Sequence, residues 1–354
     1  MEPLAIDGSL LEGGGSILRL SSGFSVLKQI PIIVKNIRAN RPKPGLRLQH
    51  LRGLQILEKL TGGYLSKSTV GTTEIEFSPG DEFKENLIIN VETAGNVALL
   101  LQPVQIACIR LGSGKKIDIE IKGGGTFGKW APGTSFLTNV LFKIYEQVGY
   151  KINLKILRHG FYPKGGAHLY FTINGPAQPI KPIEIVDLGK VSQIKGQIIC
   201  AESLKKPQVA ERIKKTIETE LKQKLNLESF IFTKYVKTYS TGVGVCLWAE
   251  SDANAIISSG TILGERGVSS EKVGKRAANE IISYIKNKIP VDNYLADQLI
   301  PIMTIANGES QIRVSEITSH LKTNLELLQK FNLKEYKILK ENNGILVNLK
   351  EKTI

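Results

Sequence analysis

Cysteine is scarce in this chain of 354 residues, which has only three. Cys108, Cys200 and Cys246 stand far apart and form no CxxC pair. That excludes a disulfide framework and a cysteine-based zinc site, and it suits a reducing compartment. No His/Cys/Asp/Glu grouping has zinc spacing, and no Walker A or GxGxxG element follows a strand. Long apolar runs are missing too. Val97 to Ile109 is interrupted by Gln102, Pro103 and Gln105, and it is shorter than the roughly 20 residues of a membrane-spanning helix. Met1-Glu2-Pro3 has neither the basic nor the apolar region of a secretory signal. A cytoplasmic protein with no membrane partner is expected.

Acidic residues are absent from one long stretch. Gly13 to Leu57 contains none, while Arg19, Lys28, Lys35, Arg38, Arg41, Lys43, Arg47 and Arg52 give it a local +8 within a net charge of +14. A solvated face commonly mixes both signs. The other reading is a surface that meets polyanions: phosphates of a nucleotide, of RNA, or of both. A hydrophobic fraction of 42% with 23% charged residues fits a globular chain rather than a disordered one.

Periodicity then suggests one pattern used three times. The first copy reads strand Leu4 to Asp7, glycine turn, helix near Ile17 to Leu27, strand Ile30 to Ile37, helix Gly45 to Leu60, and a hairpin of Tyr64 to Val70 with Glu74 to Phe77. The second runs from strand Leu87 to Val91, through helix Val97 to Arg110, strand Lys116 to Ile121, a loop at Gly123-Gly124-Gly125 and helix Thr134 to Val148, to the hairpin of Lys151 to Leu157 with Ala167 to Ile173. The third ends the chain, with helices at Ala296 to Ile305 and Ser319 to Phe331 and a tight turn at Asn343-Gly344. The predicted class is α+β, three βαβαββ units with a smaller α/β insert in the third. The expected division is 1–183 with 287–354 as one domain and 184–286 as the insert, whose helices are expected at Pro207 to Lys224 and Glu271 to Lys286.

Single motifs are modest. Glu12-Gly13-Gly14-Gly15 sets a carboxylate beside a turn that opens a helix, a place for phosphate and for a divalent metal, or simply a turn and cap. In Arg38-Ala39-Asn40-Arg41-Pro42-Lys43-Pro44-Gly45 two prolines hold three cations extended before a helix start, with Gln49 and His50 in its first turns. Arginine forks suit a triphosphate or an RNA 3′ end, although a rigid solvated loop has the same composition. His320 follows Thr318-Ser319 at a helix start, where the dipole favours a neutral, nucleophilic ring. A structural histidine fits that position equally.

Taken in order, several segments resemble the RNA 3′-terminal phosphate cyclases. They are Asp7-Gly8 with Glu12 to Gly15 and Ile17-Leu18-Arg19; Ile37-Arg38-Ala39 with Arg41, Lys43 to Leu46 and Gln49-His50; Arg158 to Gly166; Tyr294 to Leu299; and Ser319 to Asn324. The resemblance implies ATP-dependent conversion of an RNA 3′-phosphate into a 2′,3′-cyclic phosphate, with RNA as partner and Mg²⁺ or Mn²⁺ as the metal. It implies His320 as the histidine that carries AMP and Glu12 as the metal contact. It places Arg19, Arg38, Arg41 and Gln49 on the phosphate and RNA-end side. It implies Gln102, Pro132 and Tyr294-Leu295-Ala296-Asp297-Gln298 as the ATP side, with Tyr294 and Pro132 flanking adenine. Ser135 departs from the pattern, standing where many relatives have an acid. A non-catalytic, cyclase-like RNA-binding protein of ribosome biogenesis is the alternative, against which His320 counts. An enolpyruvyl-transferase-like enzyme is a third. Oligomeric state stays open, a homodimer included.

Overall fold

A computed structural model describes residues 2–176 and 179–352. It shows a mixed α+β protein built on several small sheets. β1 (Leu4–Asp7), α1 (Gly15–Lys28), β2 (Ile32–Lys35), α2 (Leu48–Thr61), β3 (Tyr64–Leu65) and β4 (Ile75–Ser78) come first, with sheet order β1-β2-β4-β3. β5 (Asn86–Asn96), α3 (Val97–Ala107) and β6 (Lys116–Gly125) follow. Next come α4 (Thr134–Phe136), a π turn (Leu137–Leu141), α5 (Phe142–Gln147), β7 (Ile152–Arg158) and β8 (His168–Asn174), with sheet order β5-β6-β8-β7.

β9 (Glu184–Ile185) precedes a five-stranded sheet. That sheet is made of β10 (Gln193–Ala201), β11 (Glu228–Val236), β12 (Val243–Glu250), β13 (Ile256–Ser258) and β14 (Ile262–Leu263). α6 (Val209–Leu225) and α7 (Ser270–Lys286) pack against each other beside it. The last elements are α8 (Asn293–Ile305), β15 (Ser310–Val314), α9 (Ser319–Lys330), β16 (Glu335–Glu341) and β17 (Gly344–Lys350), with sheet order β16-β17-β15-β9. In each four-stranded sheet one pair is parallel and the rest antiparallel.

The apolar run at Val97 finds its explanation in α3. Its residues are buried nearly all round because the helix packs on both α1 and α2. Among the described residues no helix is long and apolar enough to cross a membrane. α7 is the opposite case. Its buried Val273, Ala277, Ala278, Ile281 and Ile282 recur at helical spacing, and its other face is charged.

Three local expectations change. Gly123 to Gly125 are strand rather than loop: β5 and β6 pair on across a register shift between Val91 and Asn96. Gly123 and Gly124 have φ of +102° and +80°, which lets the two backbones approach and bend there. Glu184 and Ile185 pair with β15, so they belong to the last four-stranded sheet rather than to the five-stranded one. The helix expected from Pro207 begins at Val209, after a left-handed Gln208.

Asp292 ties the five-stranded sheet to α8. It is fully buried and accepts from the N–H groups of Tyr294 (3.1 Å) and Leu295 (2.9 Å), which makes it the N-cap. Its other oxygen accepts from Ser258 N–H at 2.8 Å and Ser258 Oγ at 3.0 Å. Burial pushes its carboxyl up to about 6, against those hydrogen bonds. Asp292→Ala strands several donors, and it should lower unfolding free energy by about 3 kcal/mol in denaturant titration. A loss below about 0.5 kcal/mol would show that the cap and the Ser258 tie are dispensable.

Candidate active site

The first turns of α1, α3, α8 and α9 meet around a cavity of about 330 Å³. Residues 128–132, 260–263 and Glu265 also line it. Gly14 is the N-cap of α1 and carries no capping side chain. The tight glycine turn has a packing cause. A Cβ at Gly15 would run into the His50 imidazole, and one at Gly14 would lie 2.8 Å from Glu12 Oε1.

Glu12 is the hinge of the arrangement. Its side chain is 14% exposed; Oε1 pairs with Arg41, and Oε2 lies 2.6 Å from His320 Nδ1. Oε2 is buried and makes no properly oriented hydrogen bond. Thr318 caps α9 through the Leu321 N–H at 3.0 Å, which sets His320 in the first turn. Burial holds the His320 imidazole below its ordinary value, as do the Arg19 and Arg41 charges; Asp297 opposes them. Burial in turn pushes Asp297 up to about 7, with His320 and the Thr318 hydroxyl (3.2 Å) pulling the other way.

Arg19 reaches across to α3. Its Nε donates to Gln102 Oε1 at 2.7 Å, and Gln102 Nε2 donates to Gln298 Oε1 at 3.2 Å. Burial lowers Arg19 to about 10, so it remains a cation at neutral pH. Tyr294 and Pro132 both line the cavity, and the Tyr294 ring packs against Gly260. Leu295 and Ala296 are buried in the core and do not line it.

The chain matches the family model for RNA 3′-terminal phosphate cyclase over residues 10–338. It belongs to that family. It is similar to the RNA 3′-terminal phosphate cyclase of Thermococcus kodakarensis, at 38% identity over 331 residues that cover 94% of this chain and 93% of that protein. The proteins of the same name in Pyrobaculum aerophilum (38%, 92% of each chain) and Methanopyrus kandleri (34%, 94% of each chain) are also similar.

Within this cyclase-family chain, not every residue singled out by sequence meets the cavity. Arg38, in a left-handed conformation, spends Nη1 on the carbonyls of Lys43 (2.6 Å) and Gly45 (3.1 Å), holding its own loop. Gln49 lies beside Gly95, outside the cavity lining, and Arg41 reaches the site through Glu12. His50 Nδ1 accepts the Arg47 N–H at 3.2 Å and so helps cap α2. Burial lowers it to about 3, with Arg19, Arg38 and Arg47 adding to the effect, so its ring stays neutral. His159 is likewise buried and neutral, lowered to about 4 by burial and by Lys234, with Thr126 Oγ1 3.1 Å from Nδ1. The Ser135 hydroxyl donates to Gln197 Oε1 at 2.6 Å, bridging α4 and β10.

Sequence reasoning assigned no chemistry to the five-stranded unit, yet Gly260, Thr261, Glu265 and Arg276 line the cavity. Trp130, 89% exposed with Lys129 4.9 Å above its ring, lies on the opposite rim. Ser258-Ser259-Gly260 is the signal that could have found the first group, since a small-residue turn beside a strand invites close packing. Thr261 Oγ1 accepts the Gly133 N–H at 2.8 Å, closing the rim.

The Asp297 shift has a signed consequence. Raised from 3.8 to about 7 in the folded protein, this carboxyl binds more protons folded than unfolded between those values. Its contribution therefore falls as pH rises through that window and levels off above it. Asp297→Asn should gain stability over the wild type between pH 4.5 and 7.5 by on the order of 2 kcal/mol, measured by urea unfolding. A gap that stays constant with pH would overturn the assignment.

Proposed function

We propose that this protein uses ATP to convert an RNA 3′-terminal phosphate into a 2′,3′-cyclic phosphate through a covalent His320–AMP. The observation that carries this is a histidine that lines the cavity, its pKa lowered by burial, with Nδ1 against the Glu12 carboxylate. Nε2 is then the nitrogen left to attack. Its lone pair forms a bond to the α-phosphorus of ATP, and the bond to the bridging oxygen breaks, releasing pyrophosphate. Positive charge developing on the ring is met by Glu12 at Nδ1. An oxygen of the RNA 3′-phosphate next attacks the same phosphorus, the N–P bond breaks, and an RNA-3′-pp-5′-A anhydride forms. Finally the neighbouring 2′-hydroxyl attacks the 3′ phosphorus, loses its proton, and expels AMP.

In this scheme Arg19 and Arg41 offset charge on the phosphates, and Gln102 and Gln298 hold Arg19 in place. Arg38 keeps the basic loop in shape, and Gln49 stays on the RNA-end side. Tyr294 and Pro132 flank the adenine, with Asp297 and Gln298 below it. Leu295 and Ala296 act as the buried base of that helix turn. Glu12 fits a divalent cation, Mg²⁺ or Mn²⁺, because Oε2 is buried without a hydrogen bond. Among the described residues no group of three His/Cys/Asp/Glu side chains gathers to hold an ion, so a bound ion would draw its other ligands from phosphate oxygens and water. Such an ion would neutralise phosphate charge. We read the three four-stranded sheets as copies of one βαβαββ unit. The five-stranded sheet with α6 and α7 is then an insert beginning after Ile185, and the protein a cytoplasmic one.

Two outcomes test the scheme. Incubation with α-labelled ATP and Mg²⁺ should label the wild type covalently. His320→Ala should cut labelling by about a thousandfold or more, and wild-type-level labelling of that variant would end the proposal. Wild-type labelling should fall only as pH drops through the lowered pKa of the ring, below its ordinary 6.5. Arg41→Ala should weaken turnover of 3′-phosphorylated RNA by about tenfold, with a shallower salt dependence than wild type.

A further inference from the structure

The five-stranded sheet leaves one long edge open. β11 pairs with β10 along all nine of its residues with no bulge, and among the described residues no strand pairs with its outer side. Edge strands are commonly short, bulged or covered, because their free N–H and C=O groups recruit another strand. β11 has none of these protections. One of its faces is occupied, with Ile231 buried and the Tyr235 hydroxyl bonded to Glu211 and to Ala210 N–H of α6. The other presents Phe230 and Phe232, each 58% exposed.

We propose that two copies of this chain join edge to edge through β11, antiparallel, about a two-fold axis at Ile231. In that register Glu228 of one copy stands opposite Lys234 of the other, Ser229 opposite Thr233, and Phe230 opposite Phe232. Every pair is complementary: opposite charges, two hydroxyls, two aromatic rings. Glu228 and Lys234 are both exposed, and neither has an ion-pair partner among the described residues. Moving the axis to Phe232 would set Phe230 against Lys234 and Glu228 against Val236. Moving it to Phe230 would set Glu228 against Phe232. Complementarity thus selects one register. The contact is also closed, since each copy uses the same edge and none remains for a third.

β16 is a useful contrast. It is also an outer strand, exposing Ile338 and Leu339. A two-fold axis at Ile338 would place Glu335 opposite Glu341 and Lys337 opposite Leu339, and one at Leu339 would pair Lys337 with Glu341 but set Ile338 opposite Lys340, so neither register is complementary throughout. A stacking surface for single-stranded RNA is the other use for two exposed phenylalanines. That use calls for several free cations on the same face; Lys234 is one, but Lys195 on β10 is engaged by Glu250 at 2.9 Å and Glu228 adds an acid to that face.

Sedimentation equilibrium of the full chain tests the dimer. Wild type should dimerise. Glu228→Lys and Lys234→Glu each set like charges opposite one another at two symmetry-related places, and each should raise the dissociation constant by about tenfold or more. The double variant Glu228→Lys/Lys234→Glu restores opposite charges in reversed order and should return to the wild-type constant. Unchanged thermal melting of the monomeric fraction would show that each variant is folded. A monomeric wild type, a single variant as tightly paired as wild type, or a double variant as weak as the singles would each overturn the proposal. So would a monomeric wild type whose affinity for single-stranded RNA is lost in Phe230→Ala/Phe232→Ala, which assigns the patch to RNA instead.

Discussion

Glu12 joins the two ends of the chain. One oxygen of its carboxylate is held by Arg41 and the other faces the His320 ring, so a turn near the start fixes a helix near the end. That contact explains the glycines around it. The carboxylate sits so close to Gly14, and the His50 ring so close to Gly15, that side chains there would displace the carboxylate and the imidazole that caps α2. Backbone bareness at this turn is a consequence of crowding, with the open helix N-terminus as its by-product.

Electrostatics in the cavity follow from the same crowding. Arg19 is surrounded by protein, and though burial lowers it to about 10 it keeps its charge; its Nε donates to Gln102, which in turn donates to Gln298. Burial, with Arg19 and Arg41 adding to it against Asp297, lowers the His320 imidazole, while burial raises the Asp297 carboxyl to about 7. In the proposed scheme, a site that is cationic overall with an imidazole of lowered pKa would take polyphosphate while leaving the ring free to attack. One net result of burial is that Arg19 keeps its charge while protonation of the His320 ring is disfavoured.

The element order was largely legible, because strand and helix periods differ and the turns are marked by glycine, proline and asparagine. The errors came where backbone conformation was set by a neighbour. Gly123 and Gly124 read as a loop, yet they continue β6 because β5 shifts register beside them. Two-residue β9 carries too little pattern to be seen without β15. At the site, Glu12, Arg19 and His320 were visible as residue types in a suggestive order, and the structure brings them together. Arg38 was read as a phosphate ligand, while its hydrogen bonds go to its own loop. No sequence spacing distinguishes an arginine that grips a ligand from one that braces a turn.

Least legible was the contribution of the five-stranded unit. It holds no recognisable motif, because what it supplies is position. Gly260 makes room for the Tyr294 ring, Thr261 fastens the rim through Gly133, and Ser258 shares Asp292 with the cap of α8. These contacts join residues tens of positions apart that have no common pattern. The buried Asp292 carboxylate is the economical part. By accepting from the sheet and from the helix start at once, it orients Tyr294 and Asp297 on one face of α8 while fixing the wall opposite them. A segment that looks like a separate domain along the chain therefore completes the cavity. Among the described residues its edge strand β11 has no partner strand on its outer side.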